Sequence, residues 1–212
     1  MKITILCTNI NHPVIDSLKS WMNEIIKKGH SVSLVFDKQD LQSGDILFLV
    51  SCSQVIQEIE RKNYKATLVL HASDLPKGRG WSPHIWSVLN GEDKVTVCVL
   101  EAGEPVDCGK IWLKKTFFLE GHELLSEINE KLFSTELSLM TEIVEKFDSI
   151  KPYQQKGESG PYMQRRTAKD SMLDPSISIA EQFELLRVVD SERYPAFFDY
   201  RGKRYSLKIE KI

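Results

Sequence analysis

His71 and Asp107 are the two residues around which chemistry could be built. His71 ends an apolar run, ATLVL over 66–70, and enters a loop, ASDLPKGRGWSP, whose path is fixed by Pro76, Gly78, Gly80 and Pro83. A histidine after a strand usually serves the structure through its hydrogen bonds. Backbone as constrained as this one, however, is kept where a ligand must come close. Thirty-six positions later, Val106-Asp107-Cys108-Gly109 puts a carboxylate at the tip of a second tight loop. If neighbouring strands of one sheet carry both loops, Asp107 can hold His71 in one tautomer, the arrangement in which an imidazole takes and returns a proton. Ser73, two residues beyond the histidine, adds a hydroxyl to the same stretch.

The elements that must position these groups follow from hydrophobic periodicity. KITILC (2–7) reads as a strand, and 13–28, with Val14, Leu18, Trp21, Ile25 and Ile26 at helical spacing, as a helix stopped by Gly29. SVSLVF (31–36) and DILFLV (45–50) are strands, the latter apolar on both faces as buried parallel strands are. A helix over 53–63 and a strand over 66–70 complete a β-α-β-β-α-β order, which predicts an α/β, Rossmann-like, mostly parallel twisted sheet covered by helices. Ligands of such sheets bind beyond the carboxyl ends of the strands, where His71 falls. Further on, the pattern predicts a short helix over 81–91, strands over 94–102 and 110–119, and an amphipathic helix or broken pair of helices from Gly121 to about Ile150. Its aromatic and methionine stripe reads as core. The chain is expected to divide into a catalytic domain over 1–150, a polar, mobile linker over 151–163 and an extension over 164–212. A helix around SIAEQFELLRVVD and a hairpin about Arg201-Gly202 would pack that extension on the core, through Leu185, Leu186, Phe197 and Phe198.

Composition removes several alternatives. With 28 basic and 30 acidic residues the formal net charge is -2, which lacks the cationic excess that phosphate-backbone binding needs. Nucleic acid is not an expected partner. The four cysteines, Cys7, Cys52, Cys98 and Cys108, form no C-x-x-C pair, which points to a reduced, cytoplasmic protein without a metal site. The N-terminus has no signal-peptide pattern, and the longest apolar run, ILFLV, is too short to span a bilayer.

The stretch HASDLPKGRGWSPHIWSVLNG, followed by VTVCVLEAGEPVDCGKI, resembles the folate-dependent formyltransferases. Their pattern is a strand ending in Asn-x-His, a loop of the type L-P-x-x-R-G-x-x-P-x-x-W and a distal G-x-D-x-G. The tail, RRTAKDSMLDPSISIAEQFELLRVVDSERYPAFFDYRGKRY, resembles the segment that follows the catalytic part in methionyl-tRNA and sugar formyltransferases. The resemblance implies transfer of a formyl group from 10-formyltetrahydrofolate to a primary amine. It casts His71 as general base and Asp107 as its orienting carboxylate. Folate would lie against Gln54, Val55 and Ile56 and against the loop carrying Glu101 and Val106, mostly on backbone groups. One departure stands out: Val69 occupies the place where the family carries the Asn whose amide meets the developing oxyanion. Valine donates nothing, so Ser73, a backbone N–H or His71 itself must serve, or a barrier cost of roughly 3 to 4 kcal/mol is left uncompensated.

Among the acceptors known for relatives, initiator tRNA calls for a basic surface and an added C-terminal barrel. Glycinamide ribonucleotide calls for a Gly/Ser-rich loop after the first strand, where TNINHP has no glycine. A peptide-synthetase formylation domain would be fused to partner modules. The resemblance therefore favours a nucleotide-linked amino sugar, a UDP-linked 4-amino-4,6-dideoxy sugar of the pseudaminic acid pathway, with Lys77 and Arg79 on its pyrophosphate and Trp81 beside them. A homodimer is the expected assembly. The reading from another class is a folate or nucleotide-sugar binding module without catalysis, against which the presence of both His71 and Asp107 speaks.

Overall fold

The computed structural model covers all 212 residues. Strands β1 (Lys2–Leu6), β2 (Ser31–Val35), β3 (Gly44–Leu49), β4 (Tyr64–His71), β5 (Lys94–Glu101) and β6 (Ile111–Phe118) form one sheet in the order β2-β1-β3-β4-β5-β6. The pairs β1·β2, β1·β3 and β3·β4 are parallel, and β4·β5 and β5·β6 are antiparallel. The α/β, mostly parallel architecture expected from the sequence is the observed one.

Helices α1 (Ile15–Lys27) and α4 (Leu125–Lys146) cover one face. Ile15, Leu18, Trp21 and Ile25 recur every three or four residues, so α1 buries a single stripe. That stripe meets Ile3, Ile5, Phe48, Leu68 and Leu70 from the sheet and Leu132, Phe133, Met140 and Ile143 from α4. The Trp21 indole N–H donates to Thr141 Oγ1 at 2.8 Å, tying the two helices together above Phe48. Side chains of a strand alternate between faces. Val69 accordingly lies on the other side of β4, against Leu6, Leu49, Ile56 and Leu75. Transferring each fully buried Leu or Ile from water contributes roughly 1.5–3 kcal/mol, and β4 collects such contacts on both faces.

The helix expected over 53–63 is only one turn, α2 (Glu58–Arg61). Ser51 takes a φ of 48° and turns the chain out of β3, and the Gln57 N–H donates to Glu60, which starts the helix late. The short helix after the His71 loop is α3 (Pro83–Leu89), with proline at its first position and Ser82 at a φ of 45° before it. α4 is unbroken. Residues 151–163 carry no helix or longer strand, yet they do not hang free. Tyr153 exchanges backbone hydrogen bonds with Ile111, and Met163 does so with Arg79 and Trp81.

The tail forms α5 (Phe183–Arg187) and a hairpin of β7 (Ala196–Tyr200) and β8 (Lys203–Leu207). Arg201 and Gly202 at φ of 50° and 74° make the primed two-residue turn that suits twisted strands. Docking on the main body differs in part from expectation. Leu186 is buried, but against Leu173 and Ala196 of the extension itself, while Leu185, Phe197 and Phe198 stay partly exposed and Phe197 lies beneath the Arg204 guanidinium. Val188 joins Ile85, Val88 and Ile128. The firmest tie is ionic: Arg187 and Glu123, each with a side chain 2% exposed, approach to 3.6 Å.

Candidate active site

β4 delivers His71 at its last residue, and β5, its antiparallel neighbour, places Cys98 opposite it. Because β5 runs back along β4, the connection to β6 leaves the sheet beside Thr67, where the Ala102 N–H donates to the Thr67 carbonyl. The loop then returns towards His71. Asp107 ends 3.6 Å from it, measured from Oδ1 to Nδ1, and both side chains are at least nine-tenths buried. Asp107 adopts a φ of 60°, uncommon for a residue with a Cβ, and the loop holds it there. Its Oδ2 accepts from the Gly80 N–H at 3.0 Å, and the Gln155 amide donates to the carbonyls of Asp107 and Gly109, each at 2.9 Å. Gly80, at a φ of 110°, also lets residue 163 pack against the loop, where a Cβ would collide with the Met163 carbonyl.

The second ring nitrogen of His71, Nε2, lies 2.9 Å from the Gly78 carbonyl. One ring nitrogen thus faces a carboxylate just beyond hydrogen-bond length and the other a backbone carbonyl. Ser73 is buried and its hydroxyl has no partner, while its carbonyl accepts from the Cys98 thiol at 2.9 Å. Arg79 reaches the same loop: its guanidinium donates to Cys108 Sγ at 3.2 Å and its Nε is buried without a partner. His71, Ser73, Arg79 and Asp107 are therefore brought together around one point. Val69 shares their face of β4 and carries no polar atom.

Other expected positions are placed differently. The Lys77 side chain is exposed, and Trp81 is partly exposed beneath the Arg165 guanidinium, 5.0 Å from its ring centre. Gln54 is spent on the fold: its amide donates to Asp37 at 3.0 Å and its oxygen accepts from the Lys38 N–H at 2.9 Å. Ile56 is core, whereas Val55 and Val106 are exposed apolar side chains. Glu101 accepts from the Trp112 indole at 3.2 Å. A cleft of about 1080 Å³ between α1, α4 and the tail contains none of these residues.

Two histidines escaped the sequence reading. His84, second residue of α3, has a buried Nδ1 without a partner, and burial, with His12 and then His71 nearby, pushes its pKa down to about 4. His12, in the β1–α1 connection, is likewise held at about 4, by burial and by the Arg193 charge. The signal for His84 was present in PHIW but was absorbed by the helix pattern. No spacing marks Gln155 or Arg193 as neighbours of this region.

A model of the formyl transferase domain matches residues 21–144, which include β4, both loops and most of α4. The chain belongs to the formyl transferase family. Among curated formyl transferases, the methionyl-tRNA formyltransferase of Rickettsia massiliae is 27% identical over 134 residues, 62% of this chain and 44% of that protein. The chain thus matches less than half the length of the curated relatives. Among solved structures, methionyl-tRNA formyltransferase from Clostridium thermocellum superposes with a TM-score of 0.84 at 22% identity, over 100% of this chain and 93% of that one. HypX from Aquifex aeolicus in complex with tetrahydrofolic acid gives 0.80 at 23%, over 99% and 37%. A 4-N formyltransferase from Francisella tularensis gives 0.77 at 17%, over 100% and 98%. At these identities the structures establish a shared fold.

Proposed function

We propose that the chain transfers a formyl group from 10-formyltetrahydrofolate to the primary amine of a nucleotide-linked amino sugar, with a UDP-linked 4-amino-4,6-dideoxy sugar as the leading acceptor. The buried His71–Asp107 pair beneath a tightly held loop carries this reading. In the reaction the amine nitrogen bonds to the formyl carbon, the bond from that carbon to N10 of the folate breaks, and the proton lost by the amine is matched by the one N10 gains. His71 exchanges the Gly78 carbonyl for the substrate. With Nδ1 towards Asp107, the neutral ring takes the amine proton on Nε2; the ring so charged, stabilised by Asp107, donates to the oxyanion, where Val69 has nothing to give, and then passes that proton to N10 as the bond to the formyl carbon breaks. The unpartnered Ser73 hydroxyl is the second donor. The exposed Val55 and Val106 and the backbone around them would meet the folate, and Arg79 would meet a phosphate of the acceptor.

Support for the sugar acceptor comes from the 4-N formyltransferase, which this chain matches over nearly its whole length, and from the net charge of -2. The names of the curated relatives favour the competing acceptor, methionyl-tRNA. Incubating the protein with 10-formyltetrahydrofolate and, in parallel, a panel of UDP- and dTDP-linked amino sugars and methionyl initiator tRNA separates the two. Release of tetrahydrofolate and a formylated sugar by mass spectrometry are expected. Formylation of the tRNA alone would overturn the sugar assignment, and no formylation of any acceptor would overturn the transferase reading.

A further inference from the structure

Residues 153–163 touch both loops of the candidate site. Tyr153 exchanges backbone hydrogen bonds with Ile111, the first residue of β6, at 2.9 and 3.0 Å. Two positions further on, the Gln155 amide nitrogen lies 2.9 Å from the carbonyl of Asp107 and 2.9 Å from that of Gly109. An amide NH2 carries two hydrogens, so this one nitrogen serves both acceptors. At the other end of the segment Met163 brackets Gly80. Its N–H donates to the Arg79 carbonyl at 2.7 Å, and its carbonyl accepts from the Trp81 N–H at 3.0 Å. Gly80 is the residue whose N–H holds Asp107 Oδ2.

Asp107 needs such support. Residues 104–106 before it are exposed, and at a φ of 60° it occupies the left-handed region with a Cβ to accommodate. Backbone of that kind persists where its surroundings over-determine it. The far end of the loop is fixed on β5: the Glu101 N–H donates to the Lys110 carbonyl at 2.9 Å, and a Cβ on Gly109 would collide with the Glu101 carbonyl. The tip has a single backbone bond of its own, from the Cys108 N–H to the Pro105 carbonyl at 3.3 Å, and Gln155 is the one side chain that bonds to its main chain. With Oδ2 taken by Gly80, Oδ1 stands 3.6 Å from His71 Nδ1, so a small shift of the tip decides whether the carboxylate can bond to the ring. We propose that Gln155 is a positioning residue for formyl transfer, its two hydrogen bonds holding Asp107 in the left-handed conformation that aims Oδ1 at His71. The inference rests on the reading of His71 as base and Asp107 as its partner. It gives the segment after α4 a part in the reaction without contact with either substrate.

The test uses the whole chain as Asp107→Asn, as Gln155→Met and as the double variant, with 10-formyltetrahydrofolate and the acceptor that the unsubstituted protein formylates. Methionine matches glutamine in length and donates nothing. Asp107→Asn should lower kcat by about 100-fold or more. Gln155→Met should lower it by about tenfold or more, since a misplacement of about 1 Å can cost about 100-fold, with the acceptor KM changed less than about twofold. In the double variant the loss should stay within about twofold of that of Asp107→Asn, because the two residues act as one unit. A kcat in Gln155→Met within about twofold of the original, a loss confined to acceptor KM, or losses that multiply in the double variant overturns the assignment. Should Gln155→Met fail to fold, Gln155→Glu, which keeps the shape and when ionised donates nothing, takes its place in the same cycle; failure of both to fold shows the two bonds to be structural and also overturns it. If Asp107→Asn turns over like the unsubstituted protein, the reading of the pair falls and this one with it. If Asp107→Asn is slow and Gln155→Met is not, only this one falls.

Discussion

Two buried acid–base pairs in this molecule have the same separation, 3.6 Å, and opposite surroundings. Glu123 and Arg187, which fasten the tail to the main body, are saturated. Glu123 also accepts from Lys131 and from the N–H groups of Glu120 and Gly121, and Arg187 also donates to Glu184. The Lys131 bond and the backbone donors hold the Glu123 carboxyl down at about 2 against its burial. Around His71 and Asp107 capacity is left over, in the Ser73 hydroxyl and in the Arg79 Nε. A pair that only holds parts together gains from filling every bond. A pair that meets a substrate must keep some open, at a cost in stability.

The largest effect should come from breaking the saturated pair. Glu123→Ala leaves buried Arg187 with only the partly exposed Glu184 as a carboxylate and strips Lys131 and two backbone N–H groups of their acceptor, and should lower unfolding free energy by about 3 kcal/mol, read as a urea midpoint shift. A loss below 1 kcal/mol would show the two pairs to be alike.

His71→Asn sharpens the contrast from the other side. Turnover should fall by roughly 100-fold or more, the usual worth of acid–base catalysis, while the urea midpoint moves little. Comparable turnover in the variant would remove His71 from the reaction.

pH separates a filled carboxyl from an empty one. Glu123 sits below its ordinary 4.5, so its contribution is complete above pH 4.5 and is lost as pH falls towards 2. His12 and His84, depressed to about 4 from 6.5, also weaken the fold on acidification, between pH 6.5 and 4. Glu136 is the converse case. It is 6% exposed and its Oε2 is without a partner in the middle of the buried stripe of α4; burial lifts its carboxyl to about 8. A raised acid costs stability as pH climbs from 4.5 to 8. Glu136→Gln should abolish that decline between pH 4.5 and 8 in a series of thermal melts, and an unchanged profile would refute the placement of Glu136.

The smallest expected change concerns Val69. Val69→Asn places an amide among Leu75, Leu100 and Ile111, costing about 1–3 kcal/mol if no partner is found, without faster turnover. A variant as stable as the original and substantially faster would show that the open pair lacks only that donor.

Most of the sheet was legible in the sequence, because β1, β2, β3 and β6 announce themselves by apolar alternation or continuity over a few residues. His71 and Asp107 could be named because they stand in loops of unusual composition. What remained hidden depends on distance along the chain. Glu123 and Arg187 are ordinary surface residue types until sixty-four positions are folded together, and Gln155 looks like any linker glutamine. The helix expected over 53–63 failed because the Gln54 side chain is drawn to Asp37, seventeen positions away, and the chain becomes helical only after the extended Gln57.

The hydrogen bonds of Met163 with Arg79 and Trp81, and of Gln155 with the Asp107 loop, bear on the order in which the protein matures. Gly80 is clamped between Asp107 and Met163, so the geometry at His71 is completed only after about ninety further residues have been laid down. Closing loops of that length is paid for in chain entropy before any contact rewards it. The sheet can therefore form while His71 still lacks its surroundings. On the proposed reading, a nascent or partly unfolded chain carries the histidine and the aspartate without the surroundings they need, until residues 155 to 163 have docked.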